Sequence, residues 1–181
     1  MSDKNTAVFG IFKTVSQAEQ TVTHLVTAGF RNDDISVLMP DIRSSREFAT
    51  EKNTKAPEGT AAGVTAGGLV GGTLGLLAGV GALAIPGVGP LIAAGPIMAA
   101  LAGLGVGGAV GGMLGALVGM GVPEFEAKRY EGRIKEGGIL LSVHCSTSEL
   151  ITRAKQVLTS DGAEDISSTS EASANAMKAT R

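Results

Sequence analysis

Residues 59–122 form a run of sixty-four positions without one Asp, Glu, Lys, Arg or His and without one aromatic. Glycine recurs in it at every fourth place: Gly63, Gly67, Gly71, Gly75 and Gly79, then Gly103, Gly107, Gly111, Gly115 and Gly119. Four-residue spacing keeps small residues on one face of a helix, where two backbones can approach closely. The break Ile85-Pro86-Gly87-Val88-Gly89-Pro90 separates the two stripes. Folded antiparallel about Leu91, Gly63 faces Gly119 and Gly71 faces Gly111, so the spacing predicts a glycine-zipper helical hairpin. Its arms are residues 62–85 and 91–121, and the ten glycines are the candidate sites of helix packing and oligomerisation.

A 24-residue first arm is about 36 Å long as a helix, against roughly 30 Å of hydrocarbon. Ten interior glycines at about 1 kcal/mol each, relative to alanine, would cost a water-exposed helix pair about 10 kcal/mol, as much as a domain's whole stability. Lipid, or the centre of a protein assembly, removes that conflict by forcing the backbone to satisfy its own hydrogen bonds. Lys52 and Lys55 before the hairpin and Lys128, Arg129 and Arg133 after it leave the turn as the uncharged end. Both ends are therefore expected in the cytoplasm, with Val88 distal, reachable from outside or buried in lipid.

Around this stretch the chain reads as two βαβ halves. A strand over residues 7–12 precedes Val15, Ala18, Val22 and Leu25 at helical spacing, Gly29 ends that helix, and a strand over 34–39 stops at Pro40. After Pro123, which opens a helix with Glu124 and Glu126 first and Arg133 and Lys135 last, a strand over 139–144 follows. Ser146 or Thr147 caps a further helix that ends at Asp161-Gly162, and a short strand around residues 165–168 closes the second half. The expected fold class is α+β, a ferredoxin-like sandwich of four antiparallel strands with helices on one face, split by the inserted hairpin. The boundaries are 1–40 for the first half, 41–58 for a linker, 59–122 for the hairpin, 123–168 for a helix plus the second half, and 169–181 for a disordered tail.

Short motifs run through both halves and the insertion: Val8-Phe9-Gly10-Ile11-Phe12, Ala18-Glu19, Ala28-Gly29-Phe30, Asp34-Ile35-Ser36-Val37, the proline-glycine turn at 85–90, and Gly138-Ile139-Leu140-Leu141-Ser142-Val143. On these the chain resembles bacterial general stress proteins, heat- or low-temperature-induced, in which a glycine-zipper segment interrupts a small α/β domain. The resemblance implies a stress-associated membrane protein and supplies no catalytic residue.

The formal charge of −2 argues against a nucleic-acid binder, for which a pI above roughly 9 is usual. Cys145 is the single cysteine, so no internal disulfide forms, and residues 1–6 lack a secretory signal pattern. Gly103-Leu104-Gly105-Val106-Gly107-Gly108 matches a dinucleotide fingerprint in letters, but no strand precedes it and no acidic residue follows before Glu124. His144 and Cys145 are strand neighbours that point to opposite faces, which separates them as metal ligands or as base and nucleophile. His24 borders an apolar helix stripe, and Asp33-Asp34 and Glu164-Asp165 are carboxylate pairs at equivalent turns that would suit capping more readily than a cation. No catalytic, cofactor or metal site is expected. The functional expectation is a non-enzymatic membrane protein that inserts and self-associates through the hairpin, with lipid and its own copies as partners and a small-molecule ligand left open. The alternative is a soluble or peripheral self-assembling protein forming a particle, filament or membrane-remodelling coat.

Overall fold

A computed structural model of the chain describes residues 6–41, 81–85, 89–97 and 112–170. The elements in order are β1 (Thr6–Phe12), α1 (Val15–Thr27), a 3-10 turn (Asn32–Asp34), β2 (Ile35–Pro40), β3 (Gly81–Ile85) and β4 (Gly89–Ala94). They continue with α2 (Gly112–Gly119), α3 (Glu124–Lys135), β5 (Ile139–Cys145), α4 (Ser148–Ser160) and β6 (Glu164–Ser170). Six strands make one antiparallel sheet in the order β3-β4-β2-β5-β1-β6. The fold class is thus α+β.

The two halves are built alike from local signals. In each, a threonine two residues beyond the strand caps a 13-residue helix: Thr14 accepts from the Gln17 amide at 3.2 Å, and Thr147 from the Leu150 amide at 3.3 Å. Of the two hydroxyls that could cap α4, Thr147 is therefore the one used. Gly29 and Gly162, at φ 97° and 81°, then turn the chain off each helix into the next strand. The central strands are apolar on both sides. Along β1, Val8 and Phe12 face one core while Ala7, Phe9 and Ile11 face the other; along β5, Leu141, Val143 and Cys145 oppose Leu140. The first core is closed by Ala18, Val22 and Leu25 of α1 and by Ala154 and Leu158 of α4. The second is closed by Met113 and Leu117 of α2 and by Ala127, Tyr130 and Ile134 of α3.

This second layer differs from the expected sheet with helices on one face. The helix after Pro123 lies where the chain passes between the halves, and its apolar stripe needs a surface that α1 and α4 have already taken on the first face.

The helical hairpin expected over residues 62–85 and 91–121 is corrected over 81–94. There the chain forms strands β3 and β4, and the proline-glycine break joins sheet strands rather than helices. The register runs from Gly81 opposite Ala93 to Ile85 opposite Gly89, and β4 pairs with β2 from Val37 opposite Ala94 to Pro40 opposite Leu91. The physical reason lies in β4. Leu91 and Ala93 join the second core, Ile92 and Ala94 the first, so each position is buried on one side or the other. A strand buried on both faces reads as an unbroken apolar run, which carries no period to tell it from a buried helix. Beyond it, α2 is an eight-residue helix packed on the sheet. The remaining residues of both expected arms, the linker after Asp41 and the tail after Ser170 lie outside the described residues.

Candidate functional site

Of the ten candidate packing glycines, Gly115 and Gly119 fall within α2. Their expected partners, Gly67 and Gly63, lie outside the described residues, as do Gly71, Gly75, Gly79, Gly103, Gly107 and Gly111. At Gly119 a Cβ would meet no atom within 4 Å, so among the described residues nothing packs against that position. The buried face of α2 is carried by Met113, Ala116 and Leu117, while Val118 is 41% exposed. Phe125, near the start of α3, is 66% exposed, with the Arg129 guanidinium 4.6 Å from its ring centre.

The polar groups on the sheet collect in two places. On the second face, Ser36 of β2 stands opposite Ser142 of β5, and these two share a cavity of about 20 Å³ with Asp34, His144, Ala7, Phe9 and Ile97. That volume suits about one water molecule. Ser36 is committed to the fold, because its Oγ accepts from the Ile97 amide at 3.2 Å and fixes the exit of β4. His144 lines this cavity while Cys145 is buried in the first core, so the two are on opposite faces as their adjacency on a strand requires. Among the described residues, no three His, Cys, Asp or Glu side chains come together to hold a metal ion.

The second collection ties β6 to α3. Arg129 pairs with Asp165 at 2.9 Å, Arg133 reaches Glu164 at 2.8 Å and Asp165 at 3.4 Å, and Lys13 pairs with Glu164. Three cations thus surround the carboxylate pair, which leaves little negative potential for a metal ion. The hydrogen bond from Lys13 is the main reason that the Glu164 carboxyl is held below the usual range; the stability it brings is present at neutral pH and fades as the pH falls through that lowered value. The other pair, Asp33-Asp34, is split: Asp33 binds Arg31 at 3.2 Å and Asp34 lines the cavity on the sheet. His24 of α1 binds Asp161 at the end of α4 at 2.9 Å, joining the two halves.

Tyr130 is the centre of the β6 contact. It is 1% exposed, its ring lies 6.0 Å from that of Phe9, and its hydroxyl donates to the Asp165 carbonyl at 2.8 Å and shares a 2.8 Å bond with Ser167 Oγ. Burial pushes its phenol up to about 12, against the opposing effect of the Ser167 hydrogen bond. Since the folded value is raised, the contribution to stability is complete below pH ~10 and is lost as the pH climbs toward 12. The chain has one tyrosine and no tryptophan, so phenolate absorbance reads this site alone. Its native titration should be centred near 12 and that of the denatured chain near 10; a native midpoint at 10 would place the ring in water. Sequence reading missed this contact because it joins residues 35 to 37 positions apart, and a lone tyrosine on a charged helix carries no signal of its partner.

No family model matches the chain, and neither a curated protein nor a solved structure matches it.

Proposed function

We propose that the chain is a non-enzymatic, stress-associated protein that binds membrane lipid and further copies of itself through the uncharged parts of residues 59–122, with a split ferredoxin-like domain on the cytoplasmic side. The observation that carries this reading is the strand order. The four strands β2-β5-β1-β6 interleave the two βαβ halves, and β3 and β4 extend the same sheet. The chain therefore leaves the sheet after β2 at Pro40 and returns to it at Gly81; it leaves the sheet again after β4 at Ala94 and comes back to pack on it from Gly112, the start of α2.

Each excursion begins and ends on one side. The uncharged lengths left to them are residues 59–80, twenty-two positions or about 33 Å as a helix, and residues 98–111, fourteen positions or about 21 Å. Crossing and returning takes about 40 apolar residues, so the fit is to segments that dip into the bilayer and come back. Among the described residues no helix is long and apolar enough to cross a membrane. The exposed Phe125, with Lys128 and Arg129 beside it in the sequence, supplies an aromatic and a basic flank of the kind found at a lipid surface.

Flotation tests this reading. Full-length protein mixed with liposomes containing anionic lipid should rise with them through a density gradient and resist high salt. Recovery at the bottom of the gradient, as a defined high-mass species in detergent-free buffer, would favour self-assembly without lipid, and Gly71→Leu with Gly111→Leu should then break that assembly apart.

A further inference from the structure

β6 is held to the sheet by different forces from those that hold its neighbours. β1 and β5 are buried along nearly their whole length, whereas every residue of β6 is half-exposed or exposed and only Ile166 among its seven side chains is apolar. Behind it, between β6 and α3, lies a cavity of about 90 Å³ lined by Glu126, Arg129, Tyr130, Asp165, Ile166 and Ser167, with room for several water molecules. Apolar burial therefore does little to keep this strand closed, and polar contacts carry the task. Tyr130 binds the Asp165 carbonyl and Ser167, and near the other end Thr169 donates to the Gly121 carbonyl at 2.6 Å. Four ion pairs tie Glu164 and Asp165 to Lys13, Arg129 and Arg133. The backbone is also interrupted here: Asp165 sits at φ 51°, and the pairing with β1 shifts register between Phe9 and Ile11.

We infer that β6 is a latch, a strand that opens from the sheet as a unit, pivoting at Gly162, while β1, β5 and β2 stay paired, and that the charges on Glu164 and Asp165 set how often it is open. Segments with little apolar burial open at a lower free energy than the core they rest on. Gly162, at φ 81°, lies between α4 and β6 and can change its backbone angles without a side-chain penalty. Opening bares the outer edge of β1 and the Tyr130 hydroxyl. A single exposed ion pair is worth little, but here two carboxylates share three cations, so neutralising one carboxylate disturbs several contacts at once. The charged groups around Glu164 are Lys13 after β1, Arg129 and Arg133 of α3, and Asp165 beside it; Glu126 of α3 lines the cavity, and Asp161, at the end of α4, is paired with His24. The hydrogen bond from Lys13 holds the Glu164 carboxyl below its ordinary value of 4.5, so closure is at full strength above that value and weakens as the pH falls through the lowered one. This inference rests on the sheet and not on the lipid reading.

Amide hydrogen exchange on the full-length chain tests it, with rates expressed relative to the unstructured chain under the same conditions. At neutral pH and low salt the hydrogen-bonded amides of β6 should be less protected than those of β2 and β5. Their protection should fall several-fold further in about 1 M NaCl, where the Debye length is about 3 Å, and again at pH about 3.5, ahead of any change in β2 and β5. Glu164→Gln removes the charge without acid: β6 protection at neutral pH should drop several-fold, with β2 and β5 unchanged, and the remaining response to acid and salt should shrink. Lys13→Gln should act in the same direction. Asp33→Asn, which removes an exposed ion pair with Arg31 beside β2, should leave β6 as it was. Equal protection of β6, β2 and β5 under all conditions would show that β6 opens only with the whole sheet and would overturn the latch. A Glu164→Gln chain that exchanges like Asp33→Asn would overturn its control by charge.

Discussion

Gly95→Val should lower the free energy of unfolding by about 3–5 kcal/mol, a third or more of what a domain of this size commonly has. Gly95 stands where β4 turns off the sheet, at φ +76°. A β-branched side chain there carries a backbone cost of about 1–2 kcal/mol. Most of the loss is steric: the added Cβ would run into the Ile35 carbonyl oxygen and lie 2.9 Å from the Ser36 Cα. Both are backbone atoms of β2, which is held between β4 and β5 and cannot yield. Moving the turn instead would break the Ile97 to Ser36 hydrogen bond. Gly29→Ala isolates the backbone cost from the clash, because Gly29 has φ +97° and nothing within 4 Å of its would-be Cβ. It should cost about 1 kcal/mol, the conformational part alone. Equal costs for Gly29→Ala and Gly95→Ala in urea titrations would mean that β4 does not approach β2 as described.

Tyr130→Ala should cost about 3–5 kcal/mol, the range for removing a buried aromatic ring from a packed core. Phe9, Leu140 and Ile134 belong to the same core and would line the void. The loss should also release β6, whose residues are half-exposed or exposed and which Tyr130 holds through Asp165 and Ser167. Tyr130→Phe keeps the ring and removes only the two hydrogen bonds, so it should cost about 1–2 kcal/mol. Hydrogen exchange gives the discriminating readout: in Tyr130→Phe the amides of β6 should exchange faster while those of β2 and β5 keep their protection. If both variants cost the same, the ring is not packed and the hydroxyl carries the whole effect.

The two halves were legible because their signals are local. The helix-ending glycines recur at matching places, and Gly29 and Gly162 do in the structure what their positions in the sequence require. The stretch between them was misread over 81–94 because it reads as one apolar run, and where burial is described, at residues 91–94, both faces are covered and the period is erased. Leu91-Ile92-Ala93-Ala94 looks the same whether a sheet or a helix bundle encloses it. Pro86, Gly87, Gly89 and Pro90 marked a break in the pattern, which falls where β3 gives way to β4, yet such a break does not declare which elements it joins. The second helical layer was missed for a related reason: α2 and α3 have apolar faces that are plain in sequence, but nothing local states which surface they cover. The contact of Tyr130 with β6 is longer-range still, and only the folded sheet brings its partners together.

Cysteine accessibility tests most directly whether residues 81–94 belong to the sheet. Thr14 and Thr159 are exposed on the two halves, and Val88 falls between β3 and β4 in the sequence. Each is replaced by cysteine singly in a Cys145→Ser background and probed in intact cells with a membrane-impermeant maleimide, before and after permeabilisation. On the cytoplasmic side proposed above, all three should stay unlabelled in intact cells and become labelled together once the membrane is opened, because β3 and β4, which flank Val88 in the chain, belong to the same sheet as the two halves. Labelling of Val88 from outside, or its protection after permeabilisation while Thr14 and Thr159 react, would restore a spanning helical hairpin and contradict this fold.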